Sequence, residues 1–189
     1  MVFNWIKEFN WIIFVKAMYF MLPAYAAVMI PSLLRKMKFL STPVDFGKNL
    51  KKRRIFGQNK TWKGIILAPI AGLIIFWVQK LLFPYLKTIS LIDYSAGGVG
   101  SLELGVLLGI GAAIGSLANS FFKRRVGIKA GKSWPVLDQI DFVVGALLFA
   151  YIVYIPPFVY VIAVLVVSPI LYIISTWLGY ALKINKNKW

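Results

Sequence analysis

Long apolar runs alternate along this chain with short runs rich in lysine and arginine. Crossing the hydrocarbon layer of a bilayer as a helix takes about 17–25 predominantly apolar residues. Runs of that size predict helices over about 11–34, 64–84, 102–122, 135–155 and 157–182. Pro23, Pro31 and Pro169 fall inside the first and last of these, where a missing amide proton kinks a helix. The expected fold class is all-α: a polytopic membrane protein of about five transmembrane helices. No polar linker divides the apolar segments, so residues 1–189 read as a single integral membrane domain. The first run, flanked by Trp5 and Trp11, is too long for a signal-peptide core and has no cleavage site behind it, so it is expected to remain in the mature protein.

The basic residues orient these helices. Of the 22 Lys and Arg, ten lie in segment 35–63, five in 123–134 and three after Leu182. Five spans put these segments on one side, against Lys7, Lys16, Lys80 and Lys87 elsewhere. The positive-inside rule makes the richer side cytoplasmic, with the N-terminus out, the C-terminus in and two basic cytoplasmic loops at 35–63 and 123–134. Lys16, within the first run, reads as a side chain snorkelling to the outer interface. The location implied is the cell membrane, multi-pass.

The third helix differs from the others. Residues 97–115 hold seven glycines, with Gly105 and Gly109, then Gly111 and Gly115, at the four-residue spacing that lets helix backbones approach closely. Such a helix belongs at the centre of a bundle, and its small-residue faces also allow a homodimer. Beyond them Ser116, Asn119, Ser120 and Lys123 recur every three or four residues, a polar stripe that must face protein or a wet cavity rather than lipid.

Composition narrows the chemistry. The sequence is 60% hydrophobic with a mean hydropathy of +0.76, above the roughly 45–50% apolar content of soluble domains. It has no Cys and no His, which removes thiol nucleophiles, disulfides, imidazole bases and the usual zinc ligands. A net charge of +16 beside spanning helices points to anionic headgroups or phosphate ligands, and no nucleic-acid partner is expected.

Acids are scarce, so their positions are informative. Asp138 and Asp141 are three apart behind Pro135, a residue suited to a first helical turn, and there they share one face at the cytoplasmic boundary with Gly145 leaving space one turn on. Two such carboxylates suit Mg²⁺ with substrate phosphates completing its shell, or serve as helix caps that complement the macrodipole. Their position favours the metal, since one lies deeper than a cap requires and basic segments flank both. One segment, Asp45-Phe46-Gly47 followed by residues 53–64, sets Arg54, Asn59, Lys60, Thr61 and Lys63 among glycines, and the start of the second helix offers amide groups to phosphate. Its spacing is not that of a Walker loop. Lys36, Lys38, Lys51 and Lys52 read as juxtamembrane anchors to anionic lipid. The other segment, Ser120 to Lys132, carries Lys123 and Arg124 directly towards the aspartates.

Residues 43–47, 53–64, 120–127 and 135–146 together resemble the CDP-archaeol synthases, and the last block is also similar to the signature of bacterial phosphatidate cytidylyltransferases. The resemblance covers both long cytoplasmic segments and implies Mg²⁺-dependent transfer of CMP from CTP to a phosphorylated isoprenoid ether lipid, 2,3-di-O-geranylgeranylglycerol 1-phosphate. The implied roles are metal binding for Asp138 and Asp141; contact with substrate phosphates for Lys123 and Arg124; and nucleotide phosphate binding for Arg54, Lys60, Thr61 and Lys63. Asn59, Ser116, Asn119 and Ser120 join the substrate-binding set, and Asp45 is a further ligand or the organiser of its loop. The family pattern has Gly-Asp where this chain has Gly115-Ser116, which leaves two aspartates for the ion. A phosphate nucleophile is already anionic at neutral pH, so the absence of histidine is no obstacle. The lipid tails require a cavity that opens sideways, with the third helix as its wall. A CTP-dependent lipid kinase, a transporter and an anionic-lipid scaffold are the competing readings; the odd helix count and acids at one membrane edge argue against the transporter.

Overall fold

The computed structural model describes residues 11–34, 37–95 and 100–181. Five α-helices follow in order: α1 (Trp11–Leu33), α2 (Trp62–Leu86), α3 (Leu102–Val126), α4 (Leu137–Ala150) and α5 (Phe158–Ala181). Between α1 and α2 a hairpin pairs two short antiparallel strands, β1 (Asn49–Leu50) and β2 (Arg53–Arg54). Apart from this hairpin and an isolated bridge between Pro43 and Thr61, the regular structure of the described residues is helical. The α1, α2 and α3 segments are each long and apolar enough to cross a membrane. Trp5, Lys7, Arg35, Lys36, Gly97, Gly98 and the basic tail after Leu182 lie outside the described residues, and with them that part of the charge asymmetry.

The fourth helix departs from the expectation. It has 14 residues, a rise of about 21 Å, rather than the predicted run over 135–155. Pro135 lies outside its first turn, because Val136 takes φ 67° and ψ −55° and Leu137 N–H donates back to the Pro135 carbonyl at 2.8 Å. That is a γ-turn of positive φ, a strained conformation for a β-branched residue.

Two features hold the helices in register. Pro23 in α1 has no amide proton for the carbonyl of Tyr19 four residues earlier. Gln79 of α2, only 2% exposed, donates its side-chain amide to that carbonyl, so a polar residue in an apolar helix satisfies a gap made by another helix. α3 packs between α2 and α4 and also touches α1. Its Gly105 and Gly109 lie against the backbone of α2 at Gly72 and Ala68, and Gly111 and Gly115 lie against α4 at Gly145 and Asp141. A Cβ at Gly115 would run into the carbonyl of Asp141, so only glycine allows this approach. The small-residue faces that the sequence offers to a second copy are therefore covered within one chain. The core lies in the same layer, with Phe20, Met21, Phe76, Tyr94, Leu104, Leu108 and Val143 fully buried.

Candidate functional site

The hairpin loop is built around Asp45, which is 4% exposed. Its carboxylate accepts backbone N–H groups from Gly47 at 3.0 Å, Phe56 at 3.2 Å and Gly57 at 2.9 Å, and pairs with Arg54 at 2.6 Å. Burial pushes its pKa up, but the Gly57 and Gly47 amides, Arg54 and the Phe56 amide outweigh burial and hold it at about 2. Of the two roles open to Asp45, these bonds give it that of organiser. Two arginines then dock the hairpin on the end of α3: Arg53 donates to the carbonyls of Arg124 and Arg125, and Arg125 donates to those of Leu50, Arg53 and Arg54. Each guanidinium satisfies carbonyls that the other element leaves open at its end.

The first amides of α2 do not serve as phosphate donors, contrary to the sequence expectation. Trp62 N–H donates to Thr42 and Lys63 N–H to Leu40, because the 40–42 segment folds back across the helix start.

Close packing of α3 on α4 creates the acidic cluster. Asn119, one turn beyond Gly115, donates the two protons of its amide to Asp138 at 2.7 Å and Asp141 at 2.8 Å. Lys123, one turn further, chelates both oxygens of Asp138 at 2.8 and 2.7 Å. The Trp134 amide also donates to Asp138 at 2.8 Å, so this aspartate braces the strained turn before α4 as well as facing the cavity. Lys60 reaches in from the hairpin loop to donate to Ser116 at 2.5 Å. Burial lowers the Lys60 pKa, Asp141 and Asp138 oppose the shift, and Lys123 adds to it.

Two neighbouring chambers result. The larger, about 420 Å³, lies between the C-terminal end of α1, the N-terminal end of α2 and the C-terminal half of α3; the other, about 320 Å³, lies between the hairpin loop, α3, the 130–133 segment, α4 and α5. Asn59, Lys60 and Ser116 line both. Asn119, Ser120, Lys123, Arg124, Asp138 and Asp141 line the second alone, whereas Thr61 and Lys63 line the first alone. Arg54 and Asp45 line neither and belong to the hairpin scaffold. The polar stripe is the α3 wall of the second chamber, and in the first Ser116 is joined by Ala113 and Leu117; the α3 glycines are spent on helix contacts. Sequence reasoning passed over Ser32, Gln58, Ser133 and Tyr172 as lining residues. Gln58 stood beside Asn59 and Lys60 and was legible there, but nothing local marked Tyr172 on an apolar helix.

Residues 9–189 match the family described as CarS-like, CDP-archaeol synthase. The chain is 35% identical over 175 residues to the CDP-archaeol synthase of Pyrococcus furiosus, covering 92% of this chain and 97% of that protein. It is 36% identical over 179 residues to that of Methanococcoides burtonii, covering 89% and 100%. A solved structure of an intramembrane enzyme for archaeal membrane lipids biosynthesis is similar with a TM-score of 0.65 at 29% identity, covering 84% of this chain and 91% of that one.

Proposed function

The chain belongs to the CDP-archaeol synthase family, and from that premise we propose that it transfers CMP from CTP to 2,3-di-O-geranylgeranylglycerol 1-phosphate, releasing pyrophosphate and CDP-archaeol. The reading rests on Asp138 and Asp141 meeting Lys60, Lys123 and Arg124 around one chamber. Arg124 is 8% exposed, and its Nε has no hydrogen-bond partner among the described residues. A buried guanidinium donor left open in this way fits a phosphate oxygen.

Mg²⁺ is the cofactor in this proposal: the donor chemistry suits it, and binding at Asp138 would exchange the ion for the Lys123 ammonium that holds both of its oxygens. Asp138 and Asp141 turn hard oxygen ligands towards one amide nitrogen, the Ser116 hydroxyl lines the same chamber, and nucleotide phosphates and water would complete a shell of the usual kind. No cluster of three acidic, His or Cys ligands occurs among the described residues, so the two aspartates would be its protein carboxylates. Bound there, the ion would neutralise charge on the nucleotide phosphates.

The protein's own part is positioning and charge. Lys60, Lys123 and Arg124 hold two repelling anions within reach of each other and stabilise the negative charge that grows on the departing pyrophosphate. An acceptor phosphate needs no general base. The basic loops set this chamber on the cytoplasmic side, by the charge asymmetry of the sequence.

Purified protein given Mg²⁺, α-labelled CTP and the ether-lipid phosphate is expected to place label in the lipid, and Asp141→Ala to abolish it. In a parallel reaction with γ-labelled CTP, transfer of the γ-label in place of the α-label would identify a lipid kinase. Lipid binding without any turnover would identify a scaffold, and full turnover by Asp141→Ala would remove the aspartates from the chemistry.

A further inference from the structure

The two chambers differ in kind. The second holds both carboxylates, whereas among the described residues no acidic side chain lines the first. The first instead carries Lys60 and Lys63 with the hydroxyls of Ser32, Ser41 and Thr61. Gln58, Asn59 and Ser116 add polar groups, and the opposite wall is apolar, from Pro31 of α1, Ile65 of α2 and Leu117 of α3. Beside it, on the outside of the same helices, Leu33 and Ile66 are exposed.

Lys63 is the unusual member. It is 3% exposed, yet among the described residues its ammonium meets only neutral groups: the carbonyls of Leu34, at 3.0 Å, and Met37, and the ring face of Phe39 at 4.8 Å. Lys123 of the neighbouring chamber differs, since it pairs with Asp138. Burying a cation without a counter-charge is costly, and an ammonium has three donors, of which the two carbonyls take two. An anion bound in the first chamber would supply the missing charge.

We propose that the first chamber seats the phosphomonoester of the acceptor lipid between Lys60 and Lys63, and that the nucleotide phosphates occupy the second chamber only. This deepens the transfer reaction proposed above and rests on it for the identity of the acceptor. It moves Thr61 and Lys63 from the nucleotide to the acceptor. The apolar wall receives the start of the alkyl chains, which a nucleotide would leave without a partner. The chambers meet at the Lys60–Ser116 hydrogen bond, and there an acceptor phosphate oxygen reaches the α-phosphorus of CTP. The new P–O bond forms as the bond from the α-phosphorus to its β-bridging oxygen breaks, and pyrophosphate leaves with that electron pair. Lys60, lining both chambers, touches both substrates.

The test compares wild type, Lys63→Met and Thr61→Val. Equilibrium binding of a dialkylglycerol phosphate to nucleotide-free protein and of CTP to lipid-free protein is measured beside the KM for each substrate. Loss of a charge-assisted contact is expected to weaken lipid-phosphate binding and raise its KM by about tenfold to a hundredfold in Lys63→Met, and by about threefold to tenfold in Thr61→Val. CTP affinity is expected to stay within about twofold. Thr61→Val removes one hydroxyl from an α2 N-cap that makes no side-chain hydrogen bond, so it reads the chamber even if Lys63→Met does not fold. Weakened CTP binding with unchanged lipid binding overturns the proposal, as does no change in either. Equal binding of dialkylglycerol without phosphate overturns it too, and equally tight inorganic phosphate would make the chamber a free-phosphate site instead. If wild type shows Lys63-dependent lipid binding but no CMP transfer, the reaction assignment fails and the chamber stands; transfer with CTP-specific defects has the opposite meaning.

Discussion

Replacing Gly145 by alanine puts a methyl group where two backbones already touch. Its Cβ would lie 2.8 Å from Cα of Gly115 and closer still to the carbonyl oxygen of Gly111, with backbone on both sides and no flexible side chain to yield. Ordinary carbon contact begins near 3.4 Å, so α3 and α4 must separate by at least the difference, and by roughly 1 Å once the carbonyl is cleared. Overpacking of this sort costs about 1–3 kcal/mol. The larger effect falls on the site, because Asp141 is one turn from Gly145 on α4 and Asn119 one turn from Gly115 on α3. A displacement near 1 Å in a positioned group lowers rate by up to about a hundredfold. Gly105→Ala is the matched control: its Cβ meets Phe76 and Gly72 on the α2 side, eleven residues or about 16 Å along α3 from Ser116. Both variants are expected to lower the melting temperature in detergent, but only Gly145→Ala should lower kcat/KM per folded molecule, measured as α-label transferred from CTP to lipid. Equal specific activities would refute the idea that backbone contact between α3 and α4 sets the acidic cluster.

Lys60 should govern the alkaline side of the pH profile. Burial holds its pKa below 10.5, so its charge is lost earlier than in a free lysine, and a bound divalent cation acts in the same direction. The alkaline limb of kcat/KM should therefore fall below pH 10.5 and move upward in Lys60→Arg; a limb at the same pH in both would exclude Lys60 as its source. Asp45 predicts an acid effect of the other sign. Its folded pKa of about 2 lies below the unfolded 3.8, so its contribution, roughly 1–2 kcal/mol, is complete above about pH 4 and fades as pH falls to about 2. The melting-temperature advantage of wild type over Asp45→Asn should shrink across that interval, and a constant advantage would contradict the assignment. Val136→Gly should raise stability by about 1 kcal/mol by relieving the γ-turn, and a drop in melting temperature would show that the valine side chain holds more than its backbone strain costs.

The helices were legible because apolar length is a local property: the starts and ends of α1, α2, α3 and α5 lie within a few residues of the apolar runs. The acidic cluster was legible for a related reason, since acids are so few here that Asp138 and Asp141 stood out against flanking cations, and the structure brings them together on Asn119. What sequence could not determine is which group faces which. Asp45 and Arg54 looked like phosphate-site residues, yet they spend their charges on each other, because the hairpin loop needs an internal acceptor for three backbone amides. Lys60 and Lys63 stand three apart in one motif but enter different surroundings, one meeting Ser116 and the other capping the end of α1. Spacing along a chain sets the direction of a side chain, whereas its counter-charge comes from residues dozens of positions away, and only the packing of α1, α3 and the hairpin on the start of α2 decides that.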